Sequence, residues 1–241
     1  MLFRSVVMLK ELETMFPEVS SMTLRRDLEF FENLGEAVRI RGGARYIRTL
    51  SGQEDVYALR AVKNQEAKDK IAKIAVRFIE TRRSVFLDSG STGMSLARAL
   101  PDASFSILTS APNIAMEVSK RYKPSVTIIG GLINRSNLSV SGMQSAQFIK
   151  SLNVDIAFIT SSAYSPKNGF TCGYYSEAEL KNMIIAKADK TILLMDSTKF
   201  GKSMPFTFAS MQDIDVMVTD KRPDDEIMEL AQKYGVSVLS E

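Results

Sequence analysis

The 241-residue sequence contains no histidine, no tryptophan and a single cysteine, Cys172. Without histidine the chain cannot build a Ser-His-Asp triad, a Cys-His dyad or a histidine-ligated zinc site. One cysteine forms neither an internal disulfide nor a cysteine-only metal site, which fits a reducing cytosol. Catalysis by carboxylates or lysines stays open, as does the absence of catalysis, and we expect no metal and no cofactor.

Long apolar segments are also missing from the chain. No stretch approaches the roughly 18 apolar residues of a membrane span, and the start, Met1 to Arg4, lacks the layout of a signal peptide. We therefore expect a soluble, cytoplasmic protein that does not bind a membrane. The formal net charge of +3 is only mildly basic and does not by itself identify a partner.

A polar stretch near residues 50–56 divides the chain into two regions. The length suits a small domain followed by a medium one, and we expect domains at 1–50 and 56–241. In the first region, apolar residues at helical spacing (Leu9, Leu12) are followed by Pro17, which ends a helix.

A second helix follows, and Ser20 is placed to cap it. Its residues Leu24, Leu28 and Phe31 fall on one face at i, i+4 and i+7. Arg25 and Arg26 point away from that face and project into solvent.

A short basic hairpin comes next, with strands Ala37–Ile40 and Arg45–Ile47 around Gly42-Gly43. Four arginines with no acidic residue among them lie in this segment: Arg39, Arg41, Arg45 and Arg48. Side chains at the start of the second helix can reach base edges, while a basic hairpin contacts phosphates. A solvated amphipathic helix followed by an ordinary hairpin explains the same pattern equally well.

The residue string itself favours DNA. Ser-Met-Thr-Leu-Arg-Arg-Asp-Leu at 21–28, Leu34-Gly35, and Arg-Ile-Arg-Gly-Gly-Ala at 39–44 closely resemble the recognition helix and wing of the DeoR family. These are bacterial transcriptional regulators, usually repressors of sugar-utilisation genes. The resemblance implies DNA contacts by Ser21, Thr23, Arg25, Arg26, Arg39 and Arg41.

One departure from the family concerns the start of the chain. Family members normally carry a further helix before the segment that matches Ser5 to Leu12, and only Met1 to Arg4 precede it here. The comparison implies a truncated head whose apolar leucine face, which includes Leu24 and Leu28, is exposed to water.

The second region alternates between strands and helices, after a long helix predicted from Val56 to Glu80. The predicted strands are Ser84–Asp88, Phe105–Thr109, Ser125–Ile129, Asp155–Thr160, Thr191–Asp196, Asp215–Thr219 and Ser237–Leu239. The predicted helices between them are Met94–Leu100, Asn113–Arg121, Ser145–Leu152, Glu177–Ala188 and Asp225–Tyr234. Apolar strands alternating with helices indicate an α/β domain with a mostly parallel, Rossmann-like sheet.

The first predicted strand of this sheet runs into the loop Asp88-Ser89-Gly90-Ser91-Thr92, and a helix follows. Small residues let backbone N–H groups approach an anion, and a helix N-terminus favours negative charge. A phosphate monoester fits such a loop, although a plain strand-to-helix turn has the same composition.

Other predicted strands also end in polar or glycine residues, and the carboxyl ends of parallel strands meet at one edge of a sheet. These ends are Thr109-Ser110, Gly130-Gly131 and Asp196-Ser197-Thr198-Lys199. Lys199 can supply a cation for phosphate, while Asp88 and Asp196 can accept hydrogen bonds from sugar hydroxyls. Lys181 either points into the same cleft or belongs to a solvated first turn of its helix.

This second region also resembles the DeoR family, in its sensor domain. The matching motifs are Asp88 to Thr92, Ile129-Gly130-Gly131, Glu177 to Lys181 and Asp196 to Gly201. The resemblance implies a fold related to ribose-5-phosphate isomerase that binds a phosphorylated sugar as effector. The implied effector-binding residues are Asp88, Ser89, Gly90, Ser91, Thr92, Thr109, Gly130, Gly131, Lys181, Asp196 and Lys199.

Two departures fall in these motifs. Thr160-Ser161-Ser162 stands where glycine is common in the family, and Thr198 replaces the usual serine. The first predicts a reshaped pocket and a changed choice of effector.

Together the motifs predict a DNA-binding regulator, a repressor of a sugar-utilisation operon, and not an enzyme. A symmetric homo-oligomer, a dimer or tetramer, is expected because operator half-sites recur along DNA. Two alternatives stay open: a sugar-phosphate isomerase that uses a carboxylate base, and an effector-binding protein that has lost DNA binding.

Overall fold

The computed structural model describes residues 6–33, 37–46 and 57–241. In the N-terminal head, the elements are β1 (Val6–Met8), α1 (Leu9–Met15), α2 (Ser21–Asn33), β2 (Ala37–Ile40) and β3 (Gly43–Tyr46). The three strands form an antiparallel sheet in the order β1-β3-β2. The predicted helix-turn-helix and hairpin are confirmed, and β1 is an additional strand that the sequence did not reveal.

The start of α2 and its inner face are well defined. The Ser20 hydroxyl accepts a hydrogen bond from the backbone N–H of Thr23 at 3.2 Å, so Ser20 caps the helix as predicted. Because α2 packs against α1 and β2, Leu24 is only 6% exposed, and the expected exposure of this face is wrong for that residue. Phe31, predicted on the buried face, is 42% exposed. The departure expected at the chain start falls on residues 1–5, outside the described residues.

The hairpin turn is tighter than the sequence suggested. Gly42 lies in the turn with φ of +82°, which favours glycine. Gly43 already belongs to β3 and pairs with Ile40, so the predicted strand Arg45–Ile47 begins two residues earlier than expected, and its last residue lies outside the described residues. A side chain at Gly43 would overlap the carbonyl oxygen of Val7, because β1 passes directly alongside.

The C-terminal region contains the remaining elements. Its helices are α3 (Tyr57–Val62), α4 (Gln65–Ala75), α5 (Ser91–Ala99), α6 (Pro112–Val118), α7 (Met143–Lys150), α8 (Tyr175–Ile185) and α9 (Asp225–Lys233). Its strands are β4 (Ser84–Leu87), β5 (Ser106–Thr109), β6 (Ser125–Ile128), β7 (Leu132–Asn134), β8 (Ser139–Ser141), β9 (Val154–Thr160), β10 (Ala163–Ser165), β11 (Gly169–Cys172), β12 (Ala188–Leu194), β13 (Phe206–Ala209), β14 (Val216–Val218) and β15 (Ser237–Leu239). Within the three described ranges, no helix is both long enough and apolar enough to cross a membrane.

The main sheet is parallel throughout, in the order β15-β14-β12-β9-β4-β5-β6. These seven strands are the ones the sequence predicted, and the expected α/β fold class is confirmed. Consecutive residues alternate between two cores: Phe86 packs in one and Leu87 in the other, and both side chains are fully buried. A sheet covered on both faces therefore explains why its strands are almost continuously apolar.

Two smaller β-structures were not predicted. β10, β11 and β13 form an antiparallel sheet, and β7 pairs with β8 in a hairpin. These strands are only three or four residues long. Segments of this length are too short to show either the apolar run of a buried strand or a sustained alternation.

The predicted long helix from Val56 to Glu80 is wrong. The structure divides the segment into α3 and α4, with Asn64 between them at φ of +53°, and a 3₁₀ turn over Val76–Phe78 ends it. Asparagine tolerates this left-handed conformation better than most residues. Tertiary contacts described below stabilise the interruption, and Val56 itself lies outside the described residues.

Candidate functional site

A polar cavity of about 240 Å³ lies at the carboxyl ends of β4, β9 and β12. From β4 the chain continues outward through β5 and β6, whereas from β9 it continues in the opposite direction through β12, β14 and β15. The boundary between β4 and β9 is thus the topological switch point, where open α/β sheets form a crevice. The lining residues are Arg60, Lys63, Asn64, Lys68, Gly90, Ser91, Thr92, Thr160, Ser161, Ser162, Asp196, Thr198, Lys199 and Lys202.

One wall of the cavity is the turn from β4 into α5. Gly90 has φ of +113°, and a Cβ there would lie 3.3 Å from the Thr160 hydroxyl oxygen, so glycine is favoured both by conformation and by space. α5 begins directly after it at Ser91, and Thr92 is buried in its first turn. The first N–H groups of a helix have no partner within the helix. Together with the two hydroxyls they form a cradle suited to an anion.

The opposite wall comes from the interrupted helix. The side-chain amide of Asn64 donates to Asp196 Oδ1 at 3.3 Å and to Thr198 Oγ1 at 3.2 Å. Lys68, only 3% exposed, donates from its ammonium group to the backbone carbonyls of Arg60 and Lys63, where α3 ends. The lysine contacts provide hydrogen-bond partners for carbonyl groups at the end of α3. Together with the asparagine contacts they stabilise the interruption between α3 and α4 beside the cavity.

Five residues of this lining are cationic: Arg60, Lys63, Lys68, Lys199 and Lys202. Of these only Lys199 was named from the sequence. The missed signal is the spacing of Arg60, Asn64 and Lys68, which recur every four residues and share one face of the predicted helix. Burial lowers the pKa of Lys68, and the Asp196 carboxylate opposes that shift.

Asp196 anchors the turn after β12. Its Oδ1 accepts hydrogen bonds from the backbone N–H of Thr198 at 3.1 Å and from the Thr198 hydroxyl. Asp196 is 2% exposed, and Lys199 follows in the same turn and is half-buried. The two departures from the family pattern, Thr160-Ser161-Ser162 and Thr198, therefore both line the cavity.

Asp88 and Lys181, both predicted to bind the effector, lie beneath the cavity rather than in its lining. The Lys181 ammonium contacts Asp88 Oδ2 at 2.8 Å, Glu177 Oε1 at 2.9 Å and the Thr160 carbonyl at 2.6 Å. Lys181 is 1% exposed, so the solvated alternative is wrong for this residue. Burial lowers its pKa, but the two carboxylates outweigh burial and the pKa is raised.

This buried ion-pair network holds a residue of the cavity wall in place. Asp88 Oδ2 accepts from both the backbone N–H and the hydroxyl of Thr160, each at 2.9 Å. The Thr160 hydroxyl is also 2.8 Å from the Ser89 carbonyl oxygen, and Asn137 donates to Glu177 at 2.7 Å. The network thus fixes the end of β9 against the turn that follows β4.

The remaining predicted effector residues lie away from the cavity lining. Thr109 is fully buried, and its hydroxyl accepts from the Ala111 backbone N–H at 3.1 Å. Gly130 and Gly131 follow β6, where the Gly130 carbonyl accepts from the Ser145 hydroxyl at 2.7 Å. Neighbouring strands are about 4.8 Å apart. β5 and β6 are therefore one and two strands farther from the switch point than β4.

In the head, the four predicted DNA-contacting arginines are exposed: Arg25, Arg26, Arg39 and Arg41. The Ser21 hydroxyl donates to Glu13 Oε1 at 2.5 Å, which ties the start of α2 to α1. Thr23 is half-buried, and its hydroxyl lies 2.9 Å from that of Ser20. Helix α2 is therefore fixed at its N-terminus while its arginines face solvent.

Sequence comparisons agree with this two-part organisation. Residues 5–49 match the DeoR-like helix-turn-helix domain, and residues 63–221 match the DeoR C terminal sensor domain. The chain is 32% identical over 221 residues to the HTH-type transcriptional regulator GlpR of Haloferax volcanii, covering 91% of this chain and 86% of that one. It is 31% identical over 238 residues to the HTH-type transcriptional regulator IolR of Bacillus subtilis, covering 98% and 94%. Ribose 5-phosphate isomerase A of Methanocaldococcus jannaschii is a partial structural match, with a TM-score of 0.43, 17% identity, and coverage of 57% of this chain and 55% of its own.

Proposed function

Because its matches show that the chain belongs to the DeoR family of transcriptional regulators, we propose that its cavity binds a phosphorylated sugar and so controls the affinity of the head for operator DNA. The protein then represses a sugar-utilisation operon and acts in the cytoplasm, where the operator lies. We assign the head to residues 1–50 and the sensor to 56–241. The relatives are named as transcriptional regulators, so the expectation of a regulator rather than an enzyme is confirmed.

The observation that carries the effector proposal is the composition of the cavity. A helix N-terminus with small and hydroxyl residues lines the same cavity as several cations, at the switch point of the sheet. Phosphate is held by backbone N–H groups and charge-assisted hydrogen bonds, and both kinds of donor are available here. Asp196 and the hydroxyls of Thr160 and Ser161 supply partners for a sugar. We assign Gly90, Ser91, Thr92, Asp196 and Lys199 to direct contact.

The other predicted effector residues support the site from a distance. We assign Asp88, Ser89 and Lys181 to holding Thr160 in place, since all three belong to the network beneath it. Thr109, Gly130 and Gly131 have no assigned contact with the ligand.

Effector binding is tested by thermal denaturation with a panel of sugar phosphates, each beside its unphosphorylated sugar. A ligand that binds only the folded protein stabilises it by about 2.7 kcal/mol at a concentration 100 times its Kd. We expect at least one sugar phosphate to raise the Tm and its parent sugar to leave it unchanged. Lys199→Met should abolish the shift, whereas Lys187→Met, on the surface after α8, should keep it. Equal shifts from sugar and sugar phosphate would contradict phosphate recognition.

For DNA recognition we propose contacts by Ser21 and Thr23 at the helix start, by Arg25 and Arg26 along the helix, and by the wing residues Arg39 and Arg41. A lost base contact costs about 1–3 kcal/mol, or roughly fivefold to 150-fold in affinity. Arg25→Ala and Arg26→Ala should weaken binding to promoter DNA by this factor while leaving the effector-induced Tm shift intact.

The matched control for the arginine variants is Arg222→Ala. Arg222 is exposed and pairs with a surface carboxylate, Asp225, at 2.9 Å. Binding should also weaken steeply with salt, because the arginines displace counterions from phosphates. Unchanged affinity in Arg25→Ala and Arg26→Ala, or an equal loss in the control, would remove the helix arginines from the interface.

Communication between the two sites is proposed to run through α3. This helix and the turn after it are the first described residues beyond the head, and they supply Arg60 and Asn64 to the cavity wall, to which the following helix α4 adds Lys68. A ligand that contacts these side chains changes the relative stability of the conformations of α3, the segment that follows the head in the chain. If it binds the DNA-incompetent arrangement better, operator affinity falls by the same differential affinity. We propose a homo-oligomer, a dimer or tetramer, because paired heads match paired half-sites.

A further inference from the structure

The parallel sheet ends in an edge strand, β6, whose outer side is open. Among the described strands β6 pairs with β5 alone. The backbone N–H groups of Ser125 and Ile129 donate to carbonyl groups of the β5 segment at 3.1 and 2.8 Å. Because consecutive residues of a strand direct their N–H and C=O groups to opposite sides, those of Val126 and Ile128 point away from the sheet. Such an edge is a template for pairing with another strand.

Exposed apolar side chains surround this edge. Ile128 in β6, Leu132 and Ile133 in β7, and Met143 at the start of α7 are 45%, 79%, 51% and 74% exposed. β7 follows β6 closely in the chain, and Leu132 pairs with Ser141, which comes shortly before Met143. We call these four exposed residues the apolar edge. Contiguous exposed apolar side chains mark interaction surfaces.

Charge is nearly absent from the same segment. Charged residues make up 24% of the chain, yet Arg135 is the only one from Ser125 to Ile149. The opposite edge of the sheet differs, because β15 follows the strongly charged helix α9, and Glu241 beyond it pairs with Lys73 at 3.0 Å. Charged side chains beside an edge strand discourage pairing with another chain. β15 is thus protected against pairing, and β6 is not.

A second copy of this chain fits the surface. A two-fold axis brings the same patch of both copies together, so a charged patch would repel itself, whereas an uncharged one does not. A strand can also pair antiparallel with its own copy. A register centred on Thr127 pairs Val126 of each copy with Ile128 of the other. All four outward-pointing backbone groups of β6 then have partners.

The β7–β8 hairpin is also bound to the segment that follows the head. The backbone N–H of Tyr57, the first residue of α3, donates to the Ser136 carbonyl in the hairpin turn at 2.7 Å. A contact between the apolar edges of two copies therefore joins two α3 segments in one assembly. Paired heads on paired half-sites require such an arrangement.

We propose that β6 and the apolar edge form a two-fold interface between two copies of this chain, with the β6 strands antiparallel and Thr127 at the axis. The two parallel sheets then continue into each other across the interface. The inference rests on the homo-oligomer of the proposed function and names the surface through which it assembles.

Sedimentation velocity of the full chain over a concentration series tests the surface. Leu132→Asp places a charge in the interface, so it should halve the mass of the assembly and raise the dissociation constant at least about 100-fold. The control is Ser237→Asp, at an exposed position of β15 on the opposite edge, and it should leave the mass unchanged. Both variants should keep the wild-type circular dichroism spectrum, since both side chains are exposed.

A pair of opposite charges tests the two-fold axis. Residues directly opposite each other in an antiparallel pair have Cβ atoms about 4.5–5.5 Å apart, so Thr127 lies beside its own copy. Thr127→Asp and Thr127→Lys each place like charges together and should weaken association about fivefold. An equal mixture of the two variants should associate within about twofold of the wild type, because aspartate then faces lysine.

Each result leads to a different conclusion. A wild-type chain that sediments as a monomer would overturn both this interface and the proposed homo-oligomer. A wild-type oligomer whose mass Leu132→Asp leaves unchanged would overturn the interface alone, and so would an equal loss of mass in Ser237→Asp. If the Thr127 mixture associates no better than its components, the antiparallel pairing about Thr127 is wrong.

Discussion

Replacing Lys181 by methionine should destabilise the sensor domain strongly. Methionine keeps a similar length but removes the ammonium group that contacts Asp88 Oδ2 at 2.8 Å, Glu177 Oε1 at 2.9 Å and the Thr160 carbonyl at 2.6 Å. Both carboxylates stay buried, at 1% and 7% exposure. The variant therefore leaves two like charges close together in the interior without the ammonium group between them.

The expected cost follows from that geometry. Removing one partner of a buried ion pair costs about 3–5 kcal/mol, because the remaining charge is neither solvated nor paired. For a domain of this size, 1 kcal/mol corresponds to about 2–4 °C in Tm. Lys181→Met should thus lower the Tm by roughly 6–20 °C. The same change frees Thr160 at the cavity wall and should weaken effector binding.

Urea denaturation followed by circular dichroism measures the loss, with Lys187→Met as the control. Lys187 lies just after the same helix, is exposed, and donates to the Lys150 carbonyl at 2.9 Å, so its replacement should cost less than about 0.5 kcal/mol. A loss below 1 kcal/mol in Lys181→Met would refute the idea that the buried lysine holds these elements together.

The pH dependence provides an independent check. Burial lowers the pKa of Lys181, but Asp88 and Glu177 outweigh burial, so the folded-state pKa is raised above the ordinary value of 10.5. A cation with a raised pKa contributes stability that is fully present below pH 10.5 and is lost as the pH rises through the folded value. The difference in stability between wild type and Lys181→Met should therefore shrink above pH 10.5. A constant difference across that range would contradict the assignment.

Two further predictions concern backbone conformation at the cavity. Asn64→Gly and Asn64→Ala both lose the hydrogen bonds to Asp196 and Thr198, but only alanine is strained at φ of +53°. Urea denaturation should therefore find the alanine variant less stable than the glycine variant by about 1 kcal/mol. Equal stability of the two variants would mean that the backbone between α3 and α4 changes its conformation to relieve the strain. Gly90→Ala introduces a Cβ at φ of +113° and 3.3 Å from Thr160 Oγ1, so titration should show effector affinity reduced at least about tenfold. Unchanged affinity would show that the cradle tolerates a side chain.

The sequence was most informative where local pattern and burial agree. The seven strands of the parallel sheet were predicted because strands covered on both faces are nearly continuous apolar runs. The head was predicted from helical spacing, the Ser20 cap and the glycine turn. The short strands β7, β8, β10, β11 and β13 carry no such pattern, since three or four residues are too few to show a continuous apolar run or a sustained alternation.

The cavity shows the same division. Gly90, Ser91, Thr92, Asp196 and Lys199 were named because each directly follows a strand or begins a helix at the carboxyl edge of the sheet. The order of strands across the sheet, which the sequence does not contain, decided that the ends of β5 and β6 lie away from that cavity. It also placed Asp88 and Lys181 beneath the cavity instead of in its lining.

The helix after the linker is the clearest case of tertiary control. Arg60 to Lys68 has a helical pattern, and local propensity alone favours a continuous helix. In the folded chain Asn64 adopts a left-handed conformation, which two contacts stabilise. Its side-chain amide donates a hydrogen bond to the turn after β12, and the Lys68 ammonium group donates to backbone carbonyls at the end of α3. The sequence by itself identified the family and predicted the two domains and the loop after β4 that we propose as an anion cradle. Only the tertiary structure turned three residues of a predicted helix into the cationic wall, because contacts distant in sequence outweigh a local helical preference.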